Sequence, residues 1–152
     1  MIQRIQSVYL LLIAIFGVVL FMMPIANISG VKDLNYFLHG INNIDSTLVF
    51  RNYPLIAVNI SSIIFAMFIV FNFKNRKYQI KLAKMLFALL LLLFFMVYVL
   101  YPFFILKNNL GEINVSFTFA FLFPLLSLIF NYLAIRGIKK DDDKVRSAER
   151  IR

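Results

Sequence analysis

Charged residues leave four long gaps along the chain, and the apolar stretches within these gaps predict its main elements. No Asp, Glu, Lys or Arg occurs in 5–31, 52–73, 85–106 or 113–135. Each stretch can supply the ~20 apolar residues that an α-helix needs to cross ~30 Å of hydrocarbon. Barrel strands are excluded because residues 89–95 are a run of Leu and Phe without alternation. The pattern therefore predicts an all-α polytopic membrane protein with transmembrane helices at about 7–26, 54–73, 82–105 and 117–135.

The two segments on the far side of these spans hold three strand-like pieces. Residues 112–117 alternate polar with apolar side chains, and 34–38 and 47–50 are rich in Leu, aromatic and β-branched residues. Pairing of the three pieces would form a small β cap outside the membrane. Irregular loops are the alternative, and the turn formers Gly40 and Asn42 in the same region favour turns.

Basic residues are shared unequally between the two sides that the spans define. Thirteen of the 16 Lys and Arg residues precede the first span, lie in or beside the connection between the second and third, or follow the fourth, and three lie on the opposite side. Because basic loops stay in the cytoplasm, both termini are predicted to be cytoplasmic. The formal net charge of +9 is thus a topology signal and a source of attraction to anionic headgroups of the lipid bilayer. No nucleic-acid partner is expected.

The composition argues against several kinds of chemistry. The 152 residues have room for one domain, 62 % of them are hydrophobic, and the absence of Cys excludes disulfides and thiolate metal sites. Ion-coupled transport usually needs ionisable residues deep in the membrane, and the uncharged stretches offer none. The single His39 stands in a predicted solvated loop without the spacing of a metal site or a catalytic motif. Neither an enzyme activity nor a cofactor nor a metal is predicted.

Small and polar residues form stripes on three of the predicted helices, and the stripe of the first helix consists of Ser7, Ala14, Gly17 and Pro24. Spacings of three and four place each set on one helix face: Asn59, Ser62 and Ala66 in the second helix, and Ala120, Pro124, Ser127 and Asn131 in the fourth. Small residues let membrane helices approach closely, and Asn or Ser can hydrogen-bond across the contact. Helix packing is the favoured interpretation, and lining of a pocket is the alternative. The third helix, rich in Leu and Phe, is predicted to face lipid most broadly.

The tail, 138–152, mixes basic and acidic residues. Gly137 is predicted to end the fourth helix, and a second, short helix would follow, opened by three Asp residues. Val145, Ala148 and Ile151 would share one face of that short helix. This stripe docks a partner, rests on the membrane or on the loop 74–81, or belongs to a solvated cytoplasmic tail.

Three segments carry a resemblance to a known family. They are the opening Met-Ile-Gln-Arg-Ile-Gln-Ser-Val-Tyr-Leu-Leu-Leu, Phe-Pro-Leu-Leu at 123–126, and the tail with Ile-Lys-Lys-Asp at 138–141 and Val-Arg-Ser-Ala-Glu-Arg at 145–150. Along essentially the whole chain, the sequence resembles a family of short bacterial four-helix membrane proteins, domain of unknown function 4293. The resemblance implies a multi-pass protein of the bacterial inner membrane and brings no activity, cofactor or catalytic residue with it.

Helix faces and a patterned tail favour one functional hypothesis, an accessory or scaffold subunit of an inner-membrane protein complex. The alternative is a protein that binds or conducts a lipid or another apolar small molecule, in a pocket lined by Asn59, Ser62, Ser127 and Asn131. The first hypothesis predicts a stoichiometric protein partner in mild detergent, and the second predicts a bound lipid.

Overall fold

The computed structural model describes residues 3–29, 34–43, 48–72, 76–100 and 114–149. Within these ranges, four helices are long and apolar enough to cross a membrane. They are α1 (Gln3–Met22), α2 (Tyr53–Phe71), α3 (Arg76–Phe95, continued by a π-helical turn, Met96–Leu100) and α4 (Phe123–Glu149, preceded by a 3₁₀ turn, Phe119–Leu122). The predicted all-α fold with four spans is confirmed.

The helix starts agree with the sequence to different degrees. Pro54 lies in the first turn of α2, where a missing N–H breaks no helical hydrogen bond. α3 begins at Arg76 and not at the predicted position 82, so basic residues that were expected in a loop form its first turns. The predicted end of the third span falls in 101–113, outside the described residues.

The helices form a four-membered ring of neighbours. α1 packs between α2 and α4, and α3 packs between the same two helices from the opposite side. Four helix segments meet at one end of the bundle: the start of α1, the end of α2, the start of α3 and the last turns of α4. Arg76 pairs with Asp141 there, and Gln79 donates a hydrogen bond to Ile69. We call this the terminal end, and we call the opposite one the sheet end.

Five short antiparallel strands cover the sheet end, in the order β4-β3-β2-β1-β5. They are β1 (Ala26–Ser29), β2 (Leu34–Phe37), β3 (Gly40–Asn43), β4 (Leu48–Arg51) and β5 (Asn114–Phe117). The first four strands pair successively, whereas β5 precedes α4 in the chain and pairs with β1, with Phe117 opposite Ala26. The predicted small β cap is confirmed.

Two of these strands are absent from the sequence-based prediction. β1 lies where a helix end and a loop were expected, and β3 contains the turn formers Gly40 and Asn42. Pairing supplies what local propensity lacks, since Gly40 lies opposite Phe37 and Asn42 opposite Asn35. Strand preference depends strongly on such cross-strand neighbours.

Two apolar cores stabilise the molecule. The first joins the inner face of the sheet to the helix ends beneath it and includes Leu20, Ile28, Tyr36, Leu38 and Val97. The second fills the bundle towards the terminal end and includes Leu10, Ile69, Leu86 and Ile138. The sheet is therefore part of the packed body and not a separate domain.

α4 does not end at Gly137, so that prediction is wrong. The helix runs unbroken for 27 residues to Glu149, and most of the predicted separate tail helix is a continuation of the fourth span. Gly137 permits close packing, because a Cβ atom there would lie 2.9 Å from Cγ of Gln6 on α1. Small residues at such contacts let two helices approach each other.

α3 is not the helix that faces lipid most broadly. In the apolar stretch of α3, 33 % of the residues are buried, compared with 28 % in the apolar stretch of each of the other three spans. The buried face includes Leu82, Leu86, Leu90 and Leu93, which pack between α2 and α4. The prediction was wrong because a helix that is apolar on every side gives no amphipathic signal of which side is buried.

Candidate functional site

Two buried asparagines connect neighbouring helices within the bundle. Nδ2 of Asn59 on α2 donates to the backbone oxygen of Gly17 on α1 at 3.0 Å. Nδ2 of Asn131 on α4 donates to the backbone oxygen of Ala83 on α3 at 3.1 Å. Gly17 allows the close approach, because a Cβ atom there would lie 2.6 Å from Cγ1 of Ile63. Interhelical hydrogen bonds of this kind contribute roughly 0.6–2 kcal/mol in membranes.

The stripe residues predicted on the second and fourth helices are all buried, Ala120 in the sheet-end core and the others between helices. They are Asn59, Ser62, Ala66, Ala120, Pro124, Ser127 and Asn131. Ser62 donates within its own helix, to the backbone oxygen of Val58 at 2.8 Å. The structure thus brings Asn59, Ser62 and Ser127 together around one small space at mid-bundle.

This mid-bundle space has a volume of about 10 Å³. A volume of that size holds about one water molecule. A lipid or another apolar molecule has no room there, so the placement of these residues favours helix packing over the pocket interpretation.

His39 does not lie in a solvated loop. Its ring stacks on Phe37 with centroids 5.0 Å apart and contacts Phe21 at 5.6 Å. Its backbone oxygen accepts a hydrogen bond from the N–H of Asn52 at 3.0 Å. The imidazole is half-buried against aromatic rings at the β2–β3 turn, and within the described ranges no three His, Cys, Asp or Glu residues form a metal-binding group.

A larger cavity, which we call the terminal cleft, opens where all four helices meet at the terminal end. Its volume is about 470 Å³, within the ~300–1,000 Å³ typical of small-molecule sites. The polar part of its lining includes Gln6, Arg76, Gln79 and Asp141, and its apolar part is Val8, Leu11, Val70, Phe71 and Ile138. Val8, Leu11 and Phe71 are exposed on the outer surface of the spans, so the cleft is continuous with the surface that lipid would cover.

An ion pair lies at the cleft and joins α3 to α4. Nη2 of Arg76 lies 3.5 Å from Oδ2 of Asp141, and Nη1 donates to the backbone oxygen of the same residue at 3.3 Å. The two side chains are 24 % and 15 % exposed. Both contacts are longer than the 2.7–2.9 Å of a tight charge-assisted hydrogen bond, so the pair contributes only about 0.2–1 kcal/mol after solvent screening.

Two glutamines also belong to the polar part of the cleft, together with Ser7. Nε2 of Gln79 donates to the backbone oxygen of Ile69 at 3.2 Å, which joins α3 to the end of α2. Gln6 is only 4 % exposed. Its Nε2 has no hydrogen-bond partner among the residues that the structure describes. A buried donor without an acceptor lowers the stability of the folded state by about 1–3 kcal/mol. Gln6 is therefore the unfavourably buried member of the site.

The tail stripe continues the face of α4 that packs against the bundle. Ala134, Ile138, Asp141 and Val145 follow one another at spacings of four, three and four residues. Ala134 and Ile138 are buried, Asp141 pairs with Arg76, and Val145 is 38 % exposed. Val145 is therefore exposed about one turn beyond the ion pair, and the interpretations of the tail stripe stay predictions. Ile151 and the side chain of Ala148 lie outside the described part of the chain.

Four of the five polar residues that line the terminal cleft, all except Ser7, were not predicted from the sequence as site or packing residues. Arg76 and Asp141 are 65 residues apart, and no local pattern connects them. Gln6 and Gln79 gave a weak signal, since each is an uncharged polar residue within a turn or two of the start of a helix. Such residues suit the headgroup level of a membrane equally well, so the sequence alone does not single them out.

Comparison with known proteins identifies the family and nothing finer. The sequence model of DUF4293, a domain of unknown function, matches residues 2–151. No curated protein matches the chain. No solved structure matches it either. With a match over nearly its whole length and four helices suited to span a membrane, the chain belongs to the DUF4293 family.

Proposed function

We propose that this chain is a lipid-binding protein of the bacterial inner membrane, with the terminal cleft as its binding site. The observation that carries the proposal is the composition of that cleft, which combines a cation, a buried unpaired amide and apolar walls open to the lipid-facing surface. A phospholipid has matching parts, a polar headgroup joined to acyl chains. The site thus differs from the pocket expected at mid-bundle, where space for only about one water remains.

The depth of the cleft suits a lipid in its ordinary position in the bilayer. Arg76 begins α3, and Asp141 lies beyond the apolar part of α4. Both charges are therefore expected at headgroup level. Val8 and Leu11 lie about one and two turns after the start of α1, deeper in the membrane than the two charges. An acyl chain would therefore pass along them while remaining in hydrocarbon. A lipid can reach this site from the membrane without crossing the packed core.

The unequal distribution of basic residues supports an orientation with the terminal end in the cytoplasm. Thirteen of the 16 Lys and Arg residues lie on the side of the termini. Positive residues in short connections set topology in this way. The cleft would then bind lipid from the cytoplasmic leaflet, where basic residues also attract anionic headgroups.

Filling the cleft tests the proposal. Val8→Trp adds bulk to its apolar wall, and we expect several-fold less lipid to remain bound after purification in mild detergent, measured by native mass spectrometry. Ile15→Trp is the matched control, because Val8 and Ile15 lie two turns apart on α1 and are 51 % and 52 % exposed, but Ile15 does not line the cleft. Equal lipid retention by the two variants would refute the proposed function.

The accessory-subunit hypothesis remains a second candidate, favoured by the length of α4. Its 27 residues extend over about 40 Å, so the helix continues beyond the Arg76–Asp141 pair, where Asp143, Lys144 and Val145 are exposed. The same purification tests this hypothesis. A stoichiometric protein partner that is lost when residues 144–152 are removed, with no lipid retained by the full-length chain, would favour the subunit over the lipid-binding protein.

A further inference from the structure

We infer that the lipid bound in the terminal cleft carries a phosphoethanolamine headgroup, a phosphate with a primary ammonium, held by Arg76, Gln6 and Asp141. The inference rests on the proposed function and names the chemical class of its ligand. The inference starts from the charges of the side chains that line the cleft. Among its described lining residues, Arg76 is the one cation and Asp141 the one anion.

Arg76 and Gln6 supply the phosphate end of the site. A guanidinium has five N–H donors in a planar fork, and two contacts to Asp141 leave Arg76 with donors for a second acceptor. Nε2 of Gln6, buried beside Gly137 and unpaired within the described residues, becomes a further donor when the side chain rotates towards the cleft that it lines. Two neighbouring donor groups call for a ligand with several acceptor oxygens, and a phosphate diester provides them.

Asp141 supplies the ammonium end of the site. Its carboxylate has about four acceptor positions, and the contact with Arg76 at 3.5 Å uses one of its two oxygens. A primary ammonium on the ligand can donate to the remaining positions. A quaternary ammonium, as in choline, has no N–H to donate.

Charge balance decides between a zwitterionic and an anionic lipid. An anionic headgroup that drew Arg76 away from Asp141 would leave a carboxylate that is only 15 % exposed without its counter-charge. Leaving a largely buried charge unpaired is costly. A zwitterion adds one charge of each sign to a pair that already holds one of each, so every charge keeps a partner.

Competition between headgroups tests the inference on the unmodified full-length chain. The protein is reconstituted in nanodiscs containing equal amounts of phosphatidylethanolamine, phosphatidylcholine and phosphatidylglycerol with identical acyl chains, and the retained lipid is identified by native mass spectrometry. We expect phosphatidylethanolamine to be retained roughly tenfold over phosphatidylcholine, the factor that a charge-assisted hydrogen bond supplies. Retention of phosphatidylcholine to the same extent would overturn the inference.

Substitution of the anion gives an independent readout. Asp141→Asn leaves the cleft with a net positive charge, and we expect the variant to prefer phosphatidylglycerol over phosphatidylethanolamine. Arg76→Gln should weaken retention of both of these lipids. An unchanged order of headgroups in Asp141→Asn would contradict the assignment. If that variant does not fold, the comparison on the unmodified chain still decides.

Two further outcomes separate this inference from the proposed function and from a soluble ligand. Retention of lipid without any headgroup preference would refute the phosphoethanolamine assignment and leave the proposed function intact, whereas no retained lipid of any kind would refute both. Free phosphoethanolamine at millimolar concentration should not displace the bound lipid, because it lacks the acyl chains that contact Val8 and Leu11. Displacement by it would show that the site serves a soluble phosphate ester.

Discussion

At the sheet end, the chain leaves α1 and α3 into strands that fold back over the helices, and the space between sheet and bundle is filled by an apolar core. At the terminal end, the helices meet without a covering element among the described residues, and a cleft of about 470 Å³ remains between them. The first end buries apolar side chains such as Leu38 almost completely, and it also buries polar atoms of His39, Asn42 and Asn52 that have no partner among the described residues. The second end keeps an ion pair at an open cleft. The sheet end is closely packed, and the terminal end has the polar groups that the proposed lipid would contact.

The reason for the difference lies in how backbone polar groups are satisfied. Strands pair with one another, so the sheet-end connections bring their own hydrogen-bond partners and can be packed tightly. Helices start or stop at both ends, and helix ends have unpaired N–H and C=O groups that need partners. At the sheet end the backbone of strands and turns supplies some of these partners, as where the N–H of Thr118 donates to the oxygen of Ile25 at 3.1 Å. The described part of the terminal end has no strand, so side chains or water have to supply them there. Gln79 already supplies one such contact to Ile69 near the end of α2.

The largest effect expected concerns which end faces which side of the membrane. The chain has no Cys, so single substitutions can be labelled selectively with a maleimide that does not cross membranes. Ser46→Cys and Asn109→Cys should react in intact cells, and Asn75→Cys and Ser147→Cys should react only after the membrane is opened. The reverse pattern would invert the orientation and place the terminal cleft in the outer leaflet.

The next effect compares the two ends by the same substitution. Leu38→Ala in the sheet-end core should lower the free energy of unfolding by about 3 kcal/mol, because it leaves a cavity at a fully buried site. Leu11→Ala in the exposed wall of the cleft should cost less than about 1 kcal/mol. Denaturant titrations in detergent, followed by circular dichroism, measure both. Equal losses would mean that the two ends do not differ in packing.

The smallest effect on stability is expected at Gly137. In Gly137→Ala the new Cβ atom would meet the flexible side chain of Gln6 at 2.9 Å, which can move towards the cleft. A gain in helix propensity of up to about 1 kcal/mol would offset the shift, so the free energy of unfolding should change by less than about 1 kcal/mol. Lipid retention should nevertheless fall, since Gln6 is displaced. A large loss of stability without loss of lipid would show that Gly137 serves packing alone.

The candidate site could be predicted only in part. Asn59 and Asn131 were found because polar residues at helical spacing within an apolar span are rare and costly unless they bond another helix. Their partners, the backbone oxygens of Gly17 and Ala83, have no sequence signature, since every residue carries a carbonyl. The terminal cleft escaped prediction because it depends on how far apart four helix ends lie.

The sequence by itself determined the four spans and three of the five strands. Both follow from local patterns of apolar and charged residues, which the bilayer and the pleated sheet impose on any chain. Only the tertiary structure decided that β1 and β3 form strands, that α4 continues through Gly137, and that Arg76 and Asp141 meet. Each of these features depends on a contact with a residue distant in the chain: β1 with β5, Gly137 with Gln6, and α3 with α4. A contact of this kind overrides local propensity because it adds burial and hydrogen bonds that no single segment contains.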